Sequence, residues 1–157
     1  MHDHSNLINR FYSAFSERDA DTMAASYTED AHFSDPVFPD LRGPQVGAMW
    51  KMLCGQASDL KVEHSGVSAD ASSGRAQWQA WYTFSATGRS VHNQITARFE
   101  FRDGLICRHV DTFPLWRWTR MALGPVGTAL GWSPMVQNKL RAQAAKGLAI
   151  YQRKLDA

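Results

Sequence analysis

Across residues 91–101 the chain alternates without a break. Asn93, Ile95, Ala97, Phe99 and Phe101 fall on one side, and Gln94, Thr96, Arg98, Glu100 and Arg102 on the other. A period of two belongs to an extended strand with one packed and one wet face. Asp103-Gly104 follows at once, and this dipeptide is a strong two-residue hairpin turn. The chain must therefore come back antiparallel, with Leu105, Cys107, His109, Asp111 and Phe113 on one face and Ile106, Arg108, Val110 and Thr112 on the other. Residues 75–85 alternate in the same way, with Ala76, Trp78, Ala80, Tyr82 and Phe84 on the apolar side. Turn signals at 70–74 and at Gly88-Arg89 complete a run of three antiparallel strands.

On both sides of this run the period is helical. Leu7, Ile8, Phe11, Tyr12 and Phe15 predict a first helix, capped by Ser5 or Asn6 and ending near Arg18. Asp19 caps a short second helix that carries Met23, Ala24 and Tyr27. Residues 31–35 predict a short strand ended by Pro36, and 35–40 a loop, since two prolines exclude a helix interior. Gly43-Pro44 opens a third helix whose apolar face is Val46, Met49, Trp50, Leu53 and Ala57. After Pro114 the helical spacing returns as Leu115, Trp116, Trp118, Met121 and Leu123. Gly124-Pro125 breaks it. Residues 126–132 are apolar without a clear period, and their glycines suit a hinge or a tight contact. Ser133-Pro134 then caps a long last helix with Val136, Leu140, Ala144, Leu148, Tyr151 and Leu155 on one side. The order is α+β.

A chain of 157 residues with 44% hydrophobic content has room for a core of its own. Residues 1–114 read as the main domain and 115–157 as a helical extension packed on it. Seventeen basic against fifteen acidic residues leave a net charge of +2, with no long basic run, which does not point to a nucleic-acid partner. No apolar run reaches the length of a membrane span, so stable membrane insertion is not expected. The start of the chain does not read as a signal peptide. Cys54 and Cys107 are too few for a disulfide framework and suit free thiols in the cytoplasm. No GxGxxG or P-loop is present, and no organic cofactor is expected.

Several stretches in this order resemble the nuclear transport factor 2-like superfamily, in its SnoaL-like branch. They are Arg10-Phe11-Tyr12-Ser13-Ala14-Phe15, then Tyr27-Thr28-Glu29-Asp30-Ala31-His32-Phe33-Ser34-Asp35-Pro36, then Arg42-Gly43-Pro44, and last the hairpin from Ala97 through Asp103-Gly104 to Ile106. The resemblance implies a cone: a curved antiparallel sheet wrapped around the N-terminal helices as a cystatin-like α+β barrel, here with extra C-terminal helices. It implies an apolar pocket at the mouth of the cone. The activities it brings to mind are isomerisation, cyclisation, dehydration and epoxide hydrolysis. It also implies a homodimer through the outer sheet face, where Trp81 is expected to stand exposed.

Three polar residues then stand out. Asp35 ends a strand at a loop, and Asp35-Pro36-Val37 resembles the base segment of steroid delta-isomerases. The alternative is a turn carboxylate that bonds nearby backbone N–H groups. The tyrosine and aspartic acid that line the oxyanion hole of those enzymes fall here on Phe11 and Ala97, so their mechanism is not expected to carry over. His109 and Asp111 share the packed face of one strand, where unpartnered polar groups are costly. They read as an acid/base pair or as a structural pair, and Asp111 sits where SnoaL-like cyclases place an acid/base carboxylate. Around them Tyr12, Phe33, Trp50, Trp78, Tyr82, Asn93, Ala97, Phe99 and Phe113 are the expected ligand-facing residues. A small, largely apolar molecule is the expected partner, either turned over or only bound, and a filled cone serving as a structural homodimer is the remaining reading. A metal held by Asp35, His109 and Asp111 is not expected, since no HExxH or HxH motif supports it inside the domain. His2 and His4 are expected to lie in a frayed terminus, and His32, His64 and His92 to be satisfied core or rim histidines.

Overall fold

The computed structural model describes residues 3–56 and 58–156. Ala57, expected on the third helix, and His2 lie outside them. The elements in chain order are α1 (His4–Ser16), α2 (Ala20–Ala25), β1 (Tyr27–Ser34), β2 (Leu41–Arg42), α3 (Pro44–Gln56), β3 (Lys61–Ala69), β4 (Ser73–Phe84), β5 (Arg89–Arg102), β6 (Leu105–Thr112), α4 (Leu115–Leu123), α5 (Pro125–Leu130) and α6 (Pro134–Asp156). The six strands form one curved sheet in the order β2-β1-β6-β5-β4-β3. The sheet does not close, because β2 and β3 remain as edges, and helices cover both of its sides.

The long β4–β5–β6 meander carries the fold, as its alternation dictates. Ile95, Ala97, Phe99 and Phe101 are buried while Gln94, Thr96, Arg98, Glu100 and Arg102 are exposed. The buried side packs on Leu7, Ile8, Phe11, Tyr12 and Phe15 of α1 and on Val46, Met49 and Trp50 of α3. Asp19 caps α2 as expected, its side chain accepting the Thr22 N–H at 3.2 Å.

The structure corrects several local expectations. Asp3, and not Ser5 or Asn6, is the N-cap residue of α1. His4 is not frayed: it is buried, its ring stacks on Phe101 at 4.0 Å, and its Nδ1 lies 2.9 Å from the Asp70 carbonyl oxygen. Tyr27 belongs to β1, not to the second helix. The antiparallel run has four strands, the additional one being β3, whose pattern is broken at Gly66 by a register shift between Ser65 and Ser68. The sheet is not wholly antiparallel, since β1 runs parallel to β6. The faces expected for Ile106 and Cys107 are exchanged. Glu100 pairs with Arg108 and Phe101 with Ile106, so Cys107 is an extra bulged residue and Ile106 turns into the core. Residues 126–130 of the segment expected to lack a period belong to α5, which Pro125 opens.

The last three helices lie against the cone. Trp118 of α4 donates its indole N–H to the Tyr82 hydroxyl oxygen at 2.7 Å. Arg141 of α6 donates to the Pro36 carbonyl oxygen at 2.8 Å, and Leu148 of α6 joins the main core. Leu148 is the one fully buried residue of that helix's expected apolar face, and Ala144 and Tyr151 are partly buried. The glycines of α5 and its end are contact points: a Cβ at Gly127 would meet the Thr119 carbonyl oxygen at 1.9 Å, and one at Gly131 the Thr119 hydroxyl oxygen at 1.9 Å. Among the described residues no helix is long and apolar enough to cross a membrane, and both cysteines are free thiols.

Candidate functional site

The parallel register of β1 and β6 brings the polar residues together. Phe33 pairs with His109 and Ser34 with Val110. The next residues along the two strands are Asp35 and Asp111, so two carboxyl groups leave adjacent strands on the same side of the sheet. His109 and Asp111 are both buried, at 0% and 3% exposure, and His109 Nε2 lies 2.7 Å from Asp111 Oδ1.

A count of donors assigns the protons in this cluster. The Trp50 indole can only donate, and it donates to the Tyr27 hydroxyl oxygen at 2.9 Å. The Tyr27 hydroxyl lies 2.8 Å from Nδ1 of His109 and is the donor to a neutral imidazole whose Nε2–H faces Asp111. With Nδ1 accepting, Nε2 carries the ring proton and donates it to Asp111. The Trp78 indole donates to the same oxygen at 3.4 Å. His109 thus has both ring nitrogens engaged inside the protein. Aromatic rings wall it in, with Phe99 at 4.4 Å, Phe33 at 5.0 Å and Phe11 at 5.8 Å between centroids. It is built to orient and hold Asp111.

Asp35 sits further out and is partly exposed. Its Oδ1 accepts the Val37 and Phe38 N–H groups at 2.7 and 2.6 Å, which is the turn role foreseen as an alternative. Those two bonds favour the ionised form. Burial outweighs them and raises the carboxyl to about 7, and the nearby Asp111 pushes in the same direction. The turn role and a raised carboxyl therefore coexist in one side chain.

Two tyrosines face this pair of carboxyls. Tyr12 is fully buried and its hydroxyl has no hydrogen-bond partner among the described residues. Burial raises its pKa well above 10, and the proximity of Asp111 adds to the shift, so it stays a protonated donor. Its ring stacks on His64, whose Nε2 is 2.9 Å from Asn9 Oδ1. Tyr82 is partly buried; its pKa is raised by burial, lowered by the Trp118 hydrogen bond and raised again by Asp35.

The expected ligand-facing residues divide into two groups. Tyr12, Phe33, Trp50, Trp78, Ala97 and Phe99 are buried and fill the inner end of the cone. Tyr82, Asn93 and Phe113 are partly exposed, and Tyr82 is near enough to Asp35 to feel its charge. Depressions of about 590 and 350 Å³ lie on the other side of the sheet, lined by Arg75, Arg98, Glu100 and Arg108 in one case and by Gln77, Gln79 and Gln94 in the other. They do not touch the carboxyl pair, so their size says nothing of its chemistry. Trp81, expected to stand exposed on that outer face, is only partly so, because His92 stacks on it at 4.6 Å and the Lys61 ammonium lies 5.3 Å from its ring. His92 is satisfied by Gln79 at 2.8 Å, and His32 lies 3.8 Å from Asp40 on the surface. Among the described residues no group of three or more His, Cys, Asp or Glu side chains is placed to hold a metal ion.

In the structural alternative for His109 and Asp111 the pair bonds to each other, to Tyr12 or Tyr27, or to backbone, and the structure has the internal bond and the one to Tyr27. The signal for Tyr27 was an aromatic hydroxyl at the head of a strand, and it was read as helical.

A curved open sheet of six strands with helices on both sides defines a class of small α+β proteins. The sequence model of the SnoaL-like domain matches residues 8–109. The chain belongs to the SnoaL-like family, within the nuclear transport factor 2-like superfamily. No curated protein matches its sequence. Solved structures agree on the fold. A putative polyketide cyclase from Xanthomonas campestris pv. campestris is 20% identical, with a TM-score of 0.62 over 74% of this chain and 93% of that one. An LEH-like epoxide hydrolase of M. tuberculosis is 20% identical, with a TM-score of 0.64 over 79% and 92%. A putative ketosteroid isomerase from Kribbella flavida is 18% identical, with a TM-score of 0.55 over 69% and 76%.

Proposed function

We propose that this chain is a cofactor-independent acid/base enzyme that acts on a small, largely apolar molecule, of the isomerase, cyclase or dehydratase kind. The observation that carries the reading is the pair Asp35 and Asp111, brought side by side at the ends of β1 and β6, with the Asp35 carboxyl raised to about 7. A carboxyl that titrates near neutrality is present in both forms at working pH, which suits it to take a proton and return it.

In this reading Asp35 removes a proton from a carbon next to a carbonyl group. The electron pair moves into the carbonyl, and the oxygen that gains charge accepts a hydrogen bond from the free hydroxyl of Tyr12, which requires the substrate to part the packing at the inner end. Asp35 returns the proton to a different carbon in an isomerisation. His109 is a positioning residue, since its two nitrogens are committed to Tyr27 and Asp111. Tyr82, Asn93 and Phe113 hold the apolar body of the substrate. A homodimer through the outer sheet face, and the cytoplasm as the place of action, belong to the same proposal.

The aromatic character of Phe33, Trp50, Trp78 and Phe99 around the carboxyls supports a second reading, in which the site binds an apolar ligand without turning it over. One experiment separates the two. Cyclic enones and 1,3-dicarbonyl compounds are incubated with the protein in deuterated water, and exchange at carbon is followed by NMR. The enzyme reading expects exchange above background that disappears in Asp35→Asn. Ligand-induced shifts of the protein signals without exchange select the binding reading. Neither exchange nor shifts across the panel rejects both.

A further inference from the structure

The family match ends at residue 109, so α4, α5 and α6 lie beyond it. Their charge differs from the rest. Residues 115–157 hold seven Lys and Arg against one acidic residue, Asp156, whereas residues 1–114 hold ten basic against fourteen acidic. A net +2 for the whole chain thus conceals a segment of +6 joined to a body of −4.

The same segment holds every large hydrophobic side chain that stands exposed among the described residues: Trp116, Val126, Leu130, Trp132, Met135, Ile150 and Leu155. Five of them gather around α5. Val126 and Leu130 lie one turn apart on it. The Trp116 indole N–H is tied to the Thr128 carbonyl oxygen at 3.1 Å and the Trp132 indole N–H to the next carbonyl, Ala129, at 2.8 Å. Both tryptophans therefore have their polar atom satisfied by the protein while their apolar rings face outward. Met135 is 79% exposed and Trp132 63%. Basic groups border this patch: Arg117 and Arg120 on α4, with the Arg120 guanidinium 4.8 Å from the Trp116 ring, and Lys139 one turn beyond Met135. Toward the far end of α6, Ile150 and Leu155 stand exposed beside Lys146, Arg153 and Lys154.

We propose that α4–α6 form a docking surface for an anionic lipid bilayer. Exposed tryptophan and aliphatic side chains bordered by Lys and Arg are what the headgroup boundary of such a bilayer accepts: rings and chains enter the interface and cations meet the phosphates. A second copy that presents the same face is a poor occupant, because it would set +6 against +6 with Asp156 as the one acidic residue of the segment. A nucleic acid would satisfy the cations and leave Val126, Leu130 and Met135 in water. Attachment is peripheral, since no helix here is a membrane span.

Flotation with vesicles tests this. The full chain is mixed with vesicles of phosphatidylcholine plus phosphatidylglycerol, and with phosphatidylcholine alone, at low and at high salt. The expected result is flotation with the anionic vesicles, weakened by salt, with a blue shift of the indole emission. The double variant Trp132→Ser/Met135→Ser should bind about 10-fold more weakly or worse, the loss of ~1.4 kcal/mol of apolar insertion. Lys139→Glu should weaken binding to anionic vesicles. These side chains are exposed, so circular dichroism and melting of the variants should match those of the parent. Three results would overturn the proposal: no flotation, equal binding to both vesicles, or a double variant that binds like the parent. So would a solution dimer in which a second copy shields Trp132 and Met135.

Discussion

Tyr27 and His109, 82 residues apart in the chain, share a hydrogen bond of 2.8 Å inside the core. It is the hinge point of a relay in which each donor has one place to go: Trp50 to Tyr27, Tyr27 to His109, His109 to Asp111. Asp111 is fixed by the end of that relay, and the position of Asp35 is fixed relative to Asp111 by the pairing of β1 with β6.

Tyr27→Phe removes the central oxygen and leaves two buried groups without partners, the Trp50 N–H and His109 Nδ1. The expected loss of stability is about 2 kcal/mol, within the ~1–3 kcal/mol that an orphaned buried polar group costs. Urea denaturation measures it. Adding Trp50→Phe to the first variant should cost less than it does alone, because one of the orphans is then gone.

Asp111→Asn keeps an acceptor oxygen for His109 and Trp78, whereas Asp111→Leu removes it. The leucine variant should be less stable than the asparagine variant by about 2 kcal/mol. Both should lose carbon-exchange activity. Equal stabilities would show that the two donors find other acceptors.

Asp35 makes stability depend on pH. Its carboxyl is raised from 3.8 to about 7 in the folded chain. Between those values the folded state holds a proton that the unfolded state has released, so stability falls as pH rises through this window and levels off above it. Asp35→Asn retains a carbonyl oxygen for the Val37 and Phe38 N–H groups and removes the charge. Its melting temperature should exceed that of the parent above about pH 8, with the difference vanishing near about pH 4. Parallel pH profiles would place the carboxyl in water.

Two glycines of the last helices should respond with opposite signs. Gly147→Ala in α6 meets nothing within 4 Å and should stabilise by up to about 1 kcal/mol. Gly127→Ala drives a methyl group into the Thr119 carbonyl, 1.9 Å away, and should separate α5 from α4. Limited proteolysis across residues 115–133 reads the second effect and thermal melting the first.

The meander was legible because its signal is local: eleven residues of unbroken alternation and a two-residue turn dictate β5 and its return. Where a strand departs from period two, the reading failed. Gly66 bulges β3 and hid it, and the bulge at Cys107 exchanged the faces of two residues. The contact of β1 with β6 has no local signature, because a parallel pair is joined by chain that runs elsewhere. Asp35, His109 and Asp111 could each be named from their surroundings in the sequence. That His109 has no nitrogen left for a substrate depends on Tyr27, a residue whose strand was read as helix.

The hydrogen bonds from Arg141 to the Pro36 carbonyl and from Trp118 to the Tyr82 hydroxyl place the last helices in the same mechanical circuit as the carboxyl pair. Pro36 follows Asp35 directly, so the guanidinium of α6 braces the turn that aims this side chain. The extension is a strut and not a tail: through Arg141 it holds the turn that begins at Asp35.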